Sequence, residues 1–566
     1  MDKTQILTQL EAHLRTLKAQ GLQPRIPAQA SAQWLPQVCA LIGIPKEGVE
    51  IAQEILSLKP PTHIVWLHMA ECSGCSESLI RVDKPGLDAL LLDYLIIDYH
   101  ETIMGAVGFG AKKSFHEALE REFLLIVEGG VSLDMNAYFL TSGAESSSGE
   151  QECREAARKA RAIFAVGTCS SFGGVQAAAP NPTSSVGIDT FLPQKVINIP
   201  GCPPSETNII GTLLYYILFQ EAPELDALNR PLWSYGKNLH DMCERKAKFE
   251  SGDFAQSFDD PNLAEGFCLY KVGCKGPYVA NNCPKVKFNA KTSWPVRAGH
   301  GCMACSEPDF WDSFGRIEEP LNNSSAYLKE PRTLRALART YGLNEILSNE
   351  TREADTLCLV LDTHAPCGIY HASDSINLLN LSFQSHLPTL LQQIGGKNKL
   401  GARLVENYTL WRKSVGLAPL ALEAAPENGG SPSQNLGDLL SLIAQIFGEN
   451  TSSVGVLDYA RDYLFPHISK LDYKLTLAQD EAKGAVCDVE LDKSLRLILC
   501  YLLGGLEIEG VAYGVVSSVC EALSTALTEL CKAHNLGYIA FKGDLVRHPL
   551  IQDRFATYLP QWIEVI

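Results

Sequence analysis

Three apolar runs near the start of the chain each end shortly before a cysteine, and this repeated arrangement limits the possible folds most. The runs "HIVWL", "IFAV" and "VINI" precede Cys72, Cys169 and Cys202. Two further apolar runs, "YLIIDYH" and "FLLIVEGGV", lie between the first two cysteines, with helical patterns between the runs. Continuous apolar runs are typical of strands covered on both faces, as in a parallel sheet with crossover helices. The sequence therefore predicts a doubly wound, flavodoxin-like α/β domain over residues 60–205.

These cysteines, together with Cys75, are predicted to lie at one edge of the sheet. The carboxyl ends of parallel strands share an edge, and ligands bind there in open α/β sheets. Cys72 and Cys75 form a Cys-x-x-C pair, which alone is compatible with zinc, a redox disulfide or an iron–sulfur cluster. A single cysteine is more often a small buried hydrophobe. Four thiols at one edge instead predict a shared metal or cluster site.

Residues 206–325 carry a second series of candidate ligands in a segment rich in Cys, Gly, Pro and Asn. The candidates are His240, Cys243, Cys268, Cys274, Cys283, Cys302 and Cys305. Zinc is one explanation, because a histidine and three cysteines fill a tetrahedral site. It would leave three thiols as an incomplete set, whereas three thiolates match a [3Fe–4S] cluster. Where a fourth ligand is expected, the sequence has Pro295, which cannot ligate.

Composition and the N-terminus predict a cytoplasmic protein. The first 21 residues form an amphipathic helical pattern without an apolar export segment or a twin-arginine pair. In a reducing compartment, 18 cysteines are more readily explained by metal ligation than by disulfides. The net charge of −17 disfavours non-specific nucleic-acid binding. The longest apolar stretch, residues 495–516, is interrupted by Glu507 and Glu509, which predicts a buried core segment and no membrane span.

The remainder of the chain divides by composition. Residues 1–59 are predicted to be a helical extension, residues 326–423 to be mainly helical with one strand in "DTLCLVLDTH", and residues 436–566 to be α/β with a strand in "GYIAFKGD". The stretch "EAAPENGGSPSQN", residues 423–435, is a predicted linker. No catalytic motif is apparent after residue 325, so we interpret this region as a docking or oligomerisation module.

The chain closely resembles the small, electron-transferring subunit of [NiFe] hydrogenases. The resemblance rests on stretches that run in family order over roughly residues 60–320. They are "ECSGCSES", "DYHETIMGAVG", "VGTCSSFGGVQAAAPNPT", "NIPGCPP", "LHDMC", "GCKGP", "NNCPKVKFN" and "SWPVRAGHGCMACSEPDFW". The resemblance implies that the segment 206–325 is an iron–sulfur domain.

The resemblance also assigns ligands residue by residue. It implies a proximal [4Fe–4S] cluster on Cys72, Cys75, Cys169 and Cys202. It implies a distal [4Fe–4S] cluster on His240, Cys243, Cys268 and Cys274. It implies a medial [3Fe–4S] cluster on Cys283, Cys302 and Cys305. These groups agree with the grouping along the sequence.

The implied reaction is the reversible oxidation of H2 at a NiFe(CN)2CO centre in a separate large subunit. This chain would then conduct electrons to an acceptor that the sequence does not identify, and Glu71 would relay protons at the interface between the subunits. A higher oligomer of heterodimers is expected. Two alternatives remain open: a regulatory H2 sensor that signals through the C-terminal region, and a zinc-stabilised structural protein.

Two departures from the family pattern are informative. Oxygen-tolerant membrane-bound relatives carry extra cysteines at the positions of Gly74 and Gly174. A six-cysteine proximal cluster is therefore predicted to be absent. About 55 residues precede the region of resemblance and about 240 follow it. The expected lack of an export signal and of a membrane anchor places the chain nearer the cytosolic uptake or sensory branches of the family.

Overall fold

The structure is a computed structural model. It describes residues 2–134, 139–308, 310–313, 356–373, 377–418, 420, 432–448, 453–463, 471, 474–480 and 484–566. The chain forms two compact units. Unit 1 comprises Met1–Glu244 and Gly273–Tyr327, and unit 2 comprises Arg245–Val272 and Leu328–Ile566.

Unit 1 is built on a five-stranded sheet in which every pairing is parallel. The strands are β1 (Thr62–His68), β2 (Leu95–His100), β3 (Leu124–Glu128), β4 (Ala162–Val166) and β5 (Val196–Ile199). Their order is β2-β1-β3-β4-β5. This is the order of the flavodoxin-like doubly wound sheet. The fold class predicted for residues 60–205 is therefore confirmed, and each of the five apolar runs forms a strand.

Helices cover both faces of this sheet. The helices of unit 1 are Lys3–Ala19, Leu35–Leu41, Val49–Leu58, Gly74–Ile80, Leu87–Ala89, Phe109–Ala118, Gly149–Lys159, Thr168–Phe172, Glu206–Phe219, Leu232–Tyr235, Cys283–Val286 and Phe310–Ser313. Short strand pairs join Val131–Ser132 to Ser185–Val186 and Thr141–Ser142 to Ser147–Ser148. Ile64 and Trp66 pack in one core cluster and Val65 and Leu67 in another. Alternate residues of β1 thus face the two helical layers.

The N-terminal extension is part of this core. Asp2 and Gln5 form a reciprocal capping box at the start of the helix Lys3–Ala19, with two N–H···O distances of 2.9 Å. This arrangement satisfies two backbone N–H groups that a helix start otherwise leaves unpaired. Leu10 of this helix is fully buried, in the same cluster as Leu35 and Ile55. The N-terminal extension, predicted to be helical, therefore packs with the other helices on one face of the sheet.

Unit 2 contains a seven-stranded mixed sheet. Its strands are β6 (Thr356–Val360), β7 (Gly368–His371), β8 (Asn377–Ser382), β9 (Lys474–Asp480), β10 (Gly484–Glu490), β11 (Tyr538–Lys542) and β12 (Glu564–Val565). The order is β9-β10-β8-β7-β6-β11-β12. Strands β6 and β11 are the two strands predicted from "DTLCLVLDTH" and "GYIAFKGD".

The helices of unit 2 pack around one large core. They are Lys246–Glu250, Leu387–Lys397, Lys399–Ser414, Leu436–Phe447, Ser453–Asp462, Leu491–Leu503, Ile508–His534 and Pro549–Tyr558. Among the described helices, Ile508–His534 is long and apolar enough to cross a membrane, and 72% of its most apolar window is buried inside the protein.

The region after residue 325 differs from the sequence-based description in one respect. The described part of residues 326–423 contains three strands, β6 to β8, in addition to the two helices Leu387–Lys397 and Lys399–Ser414. These strands join β9 to β12 in one sheet, because β8 pairs with β10 and β6 pairs with β11. Such non-local pairing is not visible in local periodicity. Residues 423–431 of the predicted linker lie outside the described residues.

Candidate functional site

The predicted proximal ligands follow three neighbouring strands of unit 1. Cys72 lies in the loop after β1, and Cys75 lies on the helix Gly74–Ile80, which begins directly after that loop. Cys169 lies on the short helix Thr168–Phe172 after β4, and Cys202 follows β5. Because all five strands are parallel, the three loops share one edge of the sheet. The structure thus brings these four cysteines to the same edge.

Charge interactions link these four thiols to one another. Burial raises the pKa of Cys75 well above its ordinary value, and negative charge on Cys169, Cys202 and Cys72 raises it further. The pKa of Cys169 rises to about 11, first through burial and then through Cys202. Thiolates held together in this way require a shared cationic partner. The donor set therefore fits an iron–sulfur cluster.

Glycines keep the space around these sulfurs free of side chains. A Cβ atom on Gly167 would lie 2.5 Å from the Cys75 Sγ, and one on Gly174 would lie 2.4 Å from the Cys169 Sγ. Both glycines have a positive φ, +91° and +70°, which an L-residue adopts only with strain. Gly74 is less crowded, with the Cys72 Sγ 3.1 Å from a built Cβ. This cradle fits a group bound by all four thiols.

A buried carboxylate that the sequence analysis missed organises the start of the Cys75 helix. Glu128, the last residue of β3, is 1% exposed. Its carboxylate accepts the backbone N–H groups of Cys75 at 2.9 Å and Ser76 at 3.1 Å, and the Trp66 Nε1–H at 3.1 Å. The Ser76 hydroxyl donates to it over 2.6 Å. The signal was present in "FLLIVEGG", where a charged residue ends a strand at the ligand-binding edge.

Glu71 takes part in a polar network beside the proximal cysteines. Its Oε1 lies 3.0 Å from His68 Nδ1, whereas its Oε2 is buried without a hydrogen-bond partner among the described residues. The His68 backbone N–H donates to Glu101 Oε2 over 3.0 Å. Burial raises the pKa of Glu101 to about 7 and lowers that of His100 to about 3. Ionisable groups thus line the edge next to Cys72, and the sequence analysis singled out Glu71 alone among them.

The predicted medial ligands are enclosed more fully. Cys283 begins the helix Cys283–Val286, and its backbone N–H donates to Asn281 Oδ1 over 3.2 Å. Burial raises the pKa of Cys283, Cys302 and Cys305, and charge on Cys305 raises that of both other thiols. These three cysteines therefore form one group. Among the described residues, no three Cys, His, Asp or Glu side chains lie close enough together to bind a single metal ion.

The predicted distal ligands divide between the two units. His240 begins the turn His240–Met242, and its backbone N–H donates to Asn238 Oδ1 over 2.8 Å. Asn238 Nδ2 donates to the Pro277 carbonyl over 2.6 Å. These bonds hold the His240–Cys243 stretch against the residues that follow Cys274. Cys268 belongs to unit 2, where its backbone N–H donates to the Asp253 carbonyl over 3.0 Å.

Two contacts connect the three groups into a series within unit 1. The hydroxyl of Thr168, the residue before Cys169, donates to the Cys305 carbonyl. Burial raises the pKa of Cys202, and the charge of Cys305 raises it further. The Cys302 backbone N–H donates to Cys274 Sγ over 3.2 Å. A proximal ligand therefore adjoins a medial one, and another medial ligand adjoins a distal one.

Exposed apolar side chains surround the edge that carries the proximal cysteines. Ile103, Val107 and Phe109 follow β2 and are 47%, 82% and 76% exposed. Val175, six residues after Cys169, is 61% exposed, and the neighbouring Gln176 Nε2 donates to the Ala70 carbonyl over 2.6 Å. Exposed apolar groups that cluster on one surface are typical of a protein-binding site.

Two known families match the region that carries these sites. The family of the C-terminal part of NiFe/NiFeSe hydrogenase small subunits matches residues 235–318. The family described as "NADH ubiquinone oxidoreductase, 20 Kd subunit" matches residues 72–216. Together the two matches span the cysteines of all three predicted groups.

Individual relatives are similar over most of their own length. The quinone-reactive Ni/Fe-hydrogenase small chain of Wolinella succinogenes is 49% identical over 294 residues, which is 51% of this chain and 83% of the relative. The periplasmic [NiFe] hydrogenase small subunit 1 of Nitratidesulfovibrio vulgaris is 46% identical over 47% of this chain and 85% of the relative. The uptake hydrogenase small subunit of Azotobacter vinelandii is 36% identical over 54% of this chain and 85% of the relative.

A solved structure matches a similar share of this chain. The [NiFeSe] hydrogenase of Desulfomicrobium baculatum has a chain that is 31% identical, with a TM-score of 0.43, covering 46% of this chain and 98% of its own. These relatives each match about half of the chain.

Proposed function

Because the chain belongs to the [NiFe] hydrogenase small-subunit family, we propose that it conducts electrons from H2 oxidation in the large subunit to an external acceptor. The chain is an oxidoreductase subunit that works with that large subunit. The proposed path uses a proximal [4Fe–4S], a medial [3Fe–4S] and a distal [4Fe–4S] cluster. Two hydrogen bonds carry this proposal, from Thr168 beside Cys169 to the Cys305 carbonyl and from the Cys302 N–H to Cys274 Sγ.

Iron–sulfur clusters supply one-electron chemistry at potentials that the surrounding protein tunes. The residues of this chain provide the ligands and their surroundings. Cys72, Cys75, Cys169 and Cys202 would hold the proximal group, with Gly167 and Gly174 leaving room for it. Cys283, Cys302 and Cys305 would hold the medial group. His240, Cys243, Cys268 and Cys274 would hold the distal group, where the neutral imidazole reduces the negative charge of the ligand set and favours a higher potential.

The large subunit is proposed to dock on the apolar surface formed by Ile103, Val107, Phe109 and Val175. These side chains are exposed at the same edge of the sheet as the proximal cysteines. A partner that covers them would remove apolar area from water and would place its own redox centre beside the first cluster.

Glu71 is proposed to accept and release protons at this interface. One of its carboxylate oxygens has no hydrogen-bond partner among the described residues, and the other pairs with His68. A Glu71→Gln variant should lose most H2-dependent turnover while keeping its iron and cluster spectra. Full turnover in that variant would exclude this role.

Purified protein tests the central proposal. The heterodimer should contain about twelve iron atoms: about eleven in the two [4Fe–4S] clusters and the [3Fe–4S] cluster of the small subunit, and one in the nickel–iron centre of the large subunit. It should absorb broadly near 400 nm, bleach with dithionite, and reduce a redox dye rapidly under H2. A colourless zinc protein would refute the proposal, and very slow turnover by a fully loaded complex would indicate a sensor instead. None of the three relatives named above is described as a sensor.

A cytoplasmic location and a higher oligomer of heterodimers remain predictions from the sequence. Some relatives are described as periplasmic, so the location requires its own test. Cell fractionation with antibodies against the chain would test the first prediction, and light scattering of the purified complex would test the second.

A further inference from the structure

The segment 245–272, here called the distal loop, belongs to unit 2 although its sequence lies within the matched hydrogenase family. It contains one helix of five residues, Lys246–Glu250, and short turns at Pro261–Leu263 and Tyr270–Val272. It ends two residues before Cys274 and carries Cys268. A segment with so little regular structure has no hydrophobic core of its own, so it must pack against other elements of the unit.

Within the distal loop, backbone hydrogen bonds fix Cys268 against residues 253–255. The Cys268 N–H donates to the Asp253 carbonyl over 3.0 Å, and the Ala255 N–H donates to the Cys268 carbonyl over 3.0 Å. Arg245 Nη1 donates to the Phe267 carbonyl over 2.6 Å. The position of Cys268 therefore follows the position of the 249–255 stretch.

Aromatic packing joins that stretch to the helix Leu491–Leu503. The Phe249 ring is fully buried, with its centroid 5.5 Å from that of Tyr501, in an edge-on arrangement. Tyr270 lies 5.7 Å from both the Phe249 and the Tyr501 rings. Edge-on aromatic pairs add stability beyond the apolar area they bury. Tyr501 thus completes a ring cluster whose other members come from the distal loop.

Polar contacts and close backbone packing reinforce the same interface. Asn407 Nδ2, on the helix Lys399–Ser414, donates to the Ser251 carbonyl over 2.8 Å. A Cβ atom on Gly504, directly after the helix Leu491–Leu503, would lie 2.4 Å from the Tyr270 Cδ1. Only glycine permits the distal loop to approach this closely.

We propose that the C-terminal region is a built-in support for the distal cluster, in which Tyr501 and Gly504 position Cys268 through the distal loop. This inference rests on the proposed function, because it takes Cys268 as a cluster ligand. These two residues would then affect whether the distal cluster forms and at what potential it works. Tyr501 and Gly504 are positioning residues, since they act through Phe249 and Tyr270.

The test uses the full chain purified with its large subunit under anaerobic conditions. Gly504→Ala should push Tyr270 away, and Tyr501→Leu should remove the ring contact. Each variant should lose about four iron atoms per chain, as one [4Fe–4S] cluster contains, or shift the midpoint potential of one cluster in a redox titration followed by EPR. The other two clusters should keep wild-type signals.

Matched controls in the same unit separate positioning from general stability. Gly396→Ala alters a helical glycine with nothing within 4 Å of a built Cβ. Tyr513→Leu removes a buried tyrosine whose ring centroid lies 5.3 Å from that of Tyr463, a residue outside the distal loop. Both controls should keep full iron and wild-type potentials.

Two outcomes would overturn the inference: wild-type iron and potentials in Gly504→Ala and Tyr501→Leu, or equal losses in these variants and their controls. A Cys268→Ala variant tests the underlying assignment separately. If it also keeps every cluster, the distal ligand set is wrong. If it alone loses the cluster, the ligand set stands and the support by the C-terminal region is refuted.

Discussion

Glu128 Oε1 accepts the backbone N–H of Cys75 over 2.9 Å, at the start of the helix that carries this cysteine. The carboxylate comes from the end of β3, the strand between the one that precedes Cys72 and the one that precedes Cys169. It therefore fixes a proximal ligand from the middle of the sheet. After burial, its negative charge is the largest factor that raises the pKa of Cys75. Glu128 thus combines a structural cap with an electrostatic influence on the proximal site.

We expect Glu128→Gln to raise the midpoint potential of the proximal cluster. The amide keeps the side-chain shape, but removing a negative charge near the cluster stabilises its reduced form. Loss of the charged helix cap should also cost about 1 kcal/mol of folding stability. A redox titration followed by EPR measures the potential. Glu77→Gln is the matched control, because Glu77 lies on the same helix but is exposed and pairs with Arg81. Equal shifts in both variants would contradict the prediction.

Gly167→Ala should prevent assembly of the proximal cluster. The new methyl group would lie 2.5 Å from Cys75 Sγ, and the backbone φ of +91° adds strain of about 1 kcal/mol for a residue with a side chain. Iron analysis should show about four atoms fewer per chain, as one [4Fe–4S] cluster contains. Gly105→Ala serves as the control, since nothing lies within 4 Å of its built Cβ. Normal iron content in Gly167→Ala would show that the cradle is not needed.

Cys283→Ala should remove the paramagnetic signal of an oxidised [3Fe–4S] cluster. Cys302 is buried and Cys283 and Cys305 are half-buried. Deleting one of the three proposed ligands leaves an incomplete set. EPR of the oxidised complex checks this directly. Cys520→Ala is a suitable comparison, because Cys520 is a buried cysteine of unit 2 outside all three ligand groups. Survival of the signal in Cys283→Ala would refute the medial assignment.

The sheet of unit 1 and the edge that carries its cysteines could be predicted because both depend on local signals. A continuous apolar run followed by Gly and Cys identifies a buried strand and its ligand-binding end, as "IFAVGTC" shows for β4 and Cys169. Glu128 gives no such signal, because no cysteine follows β3 to mark the end of that strand as part of the site. Its charge at the end of an apolar run is the signal that could have found it.

The structure of unit 2 could be predicted only in part because it depends on distant pairings. Strand β6 pairs with β11, which lies about 180 residues later, and Phe249 packs on Tyr501, about 250 residues later. Local periodicity contains no information about such partners. The sequence therefore identified two strands, β6 and β11, but missed β7 and β8 and did not link the distal loop to the C-terminal helices.

We finally expect Glu101→Gln to change how stability depends on pH. Burial raises the pKa of Glu101 from 4.5 to about 7, so the folded state binds more protons than the unfolded state between these values. The stability that wild-type protein draws from this group is complete below pH 4.5 and is lost as the pH rises through about 7. The glutamine cannot titrate. The melting temperature of the variant relative to wild type should therefore rise from about pH 4.5 to about pH 7 and then stay constant. The lowered pKa of His100 acts in both proteins and cancels in this difference. Glu117→Gln, at an exposed position on the helix Phe109–Ala118, should give a flat difference. A flat difference for Glu101→Gln as well would show that Glu101 ionises alike in the folded and unfolded chains.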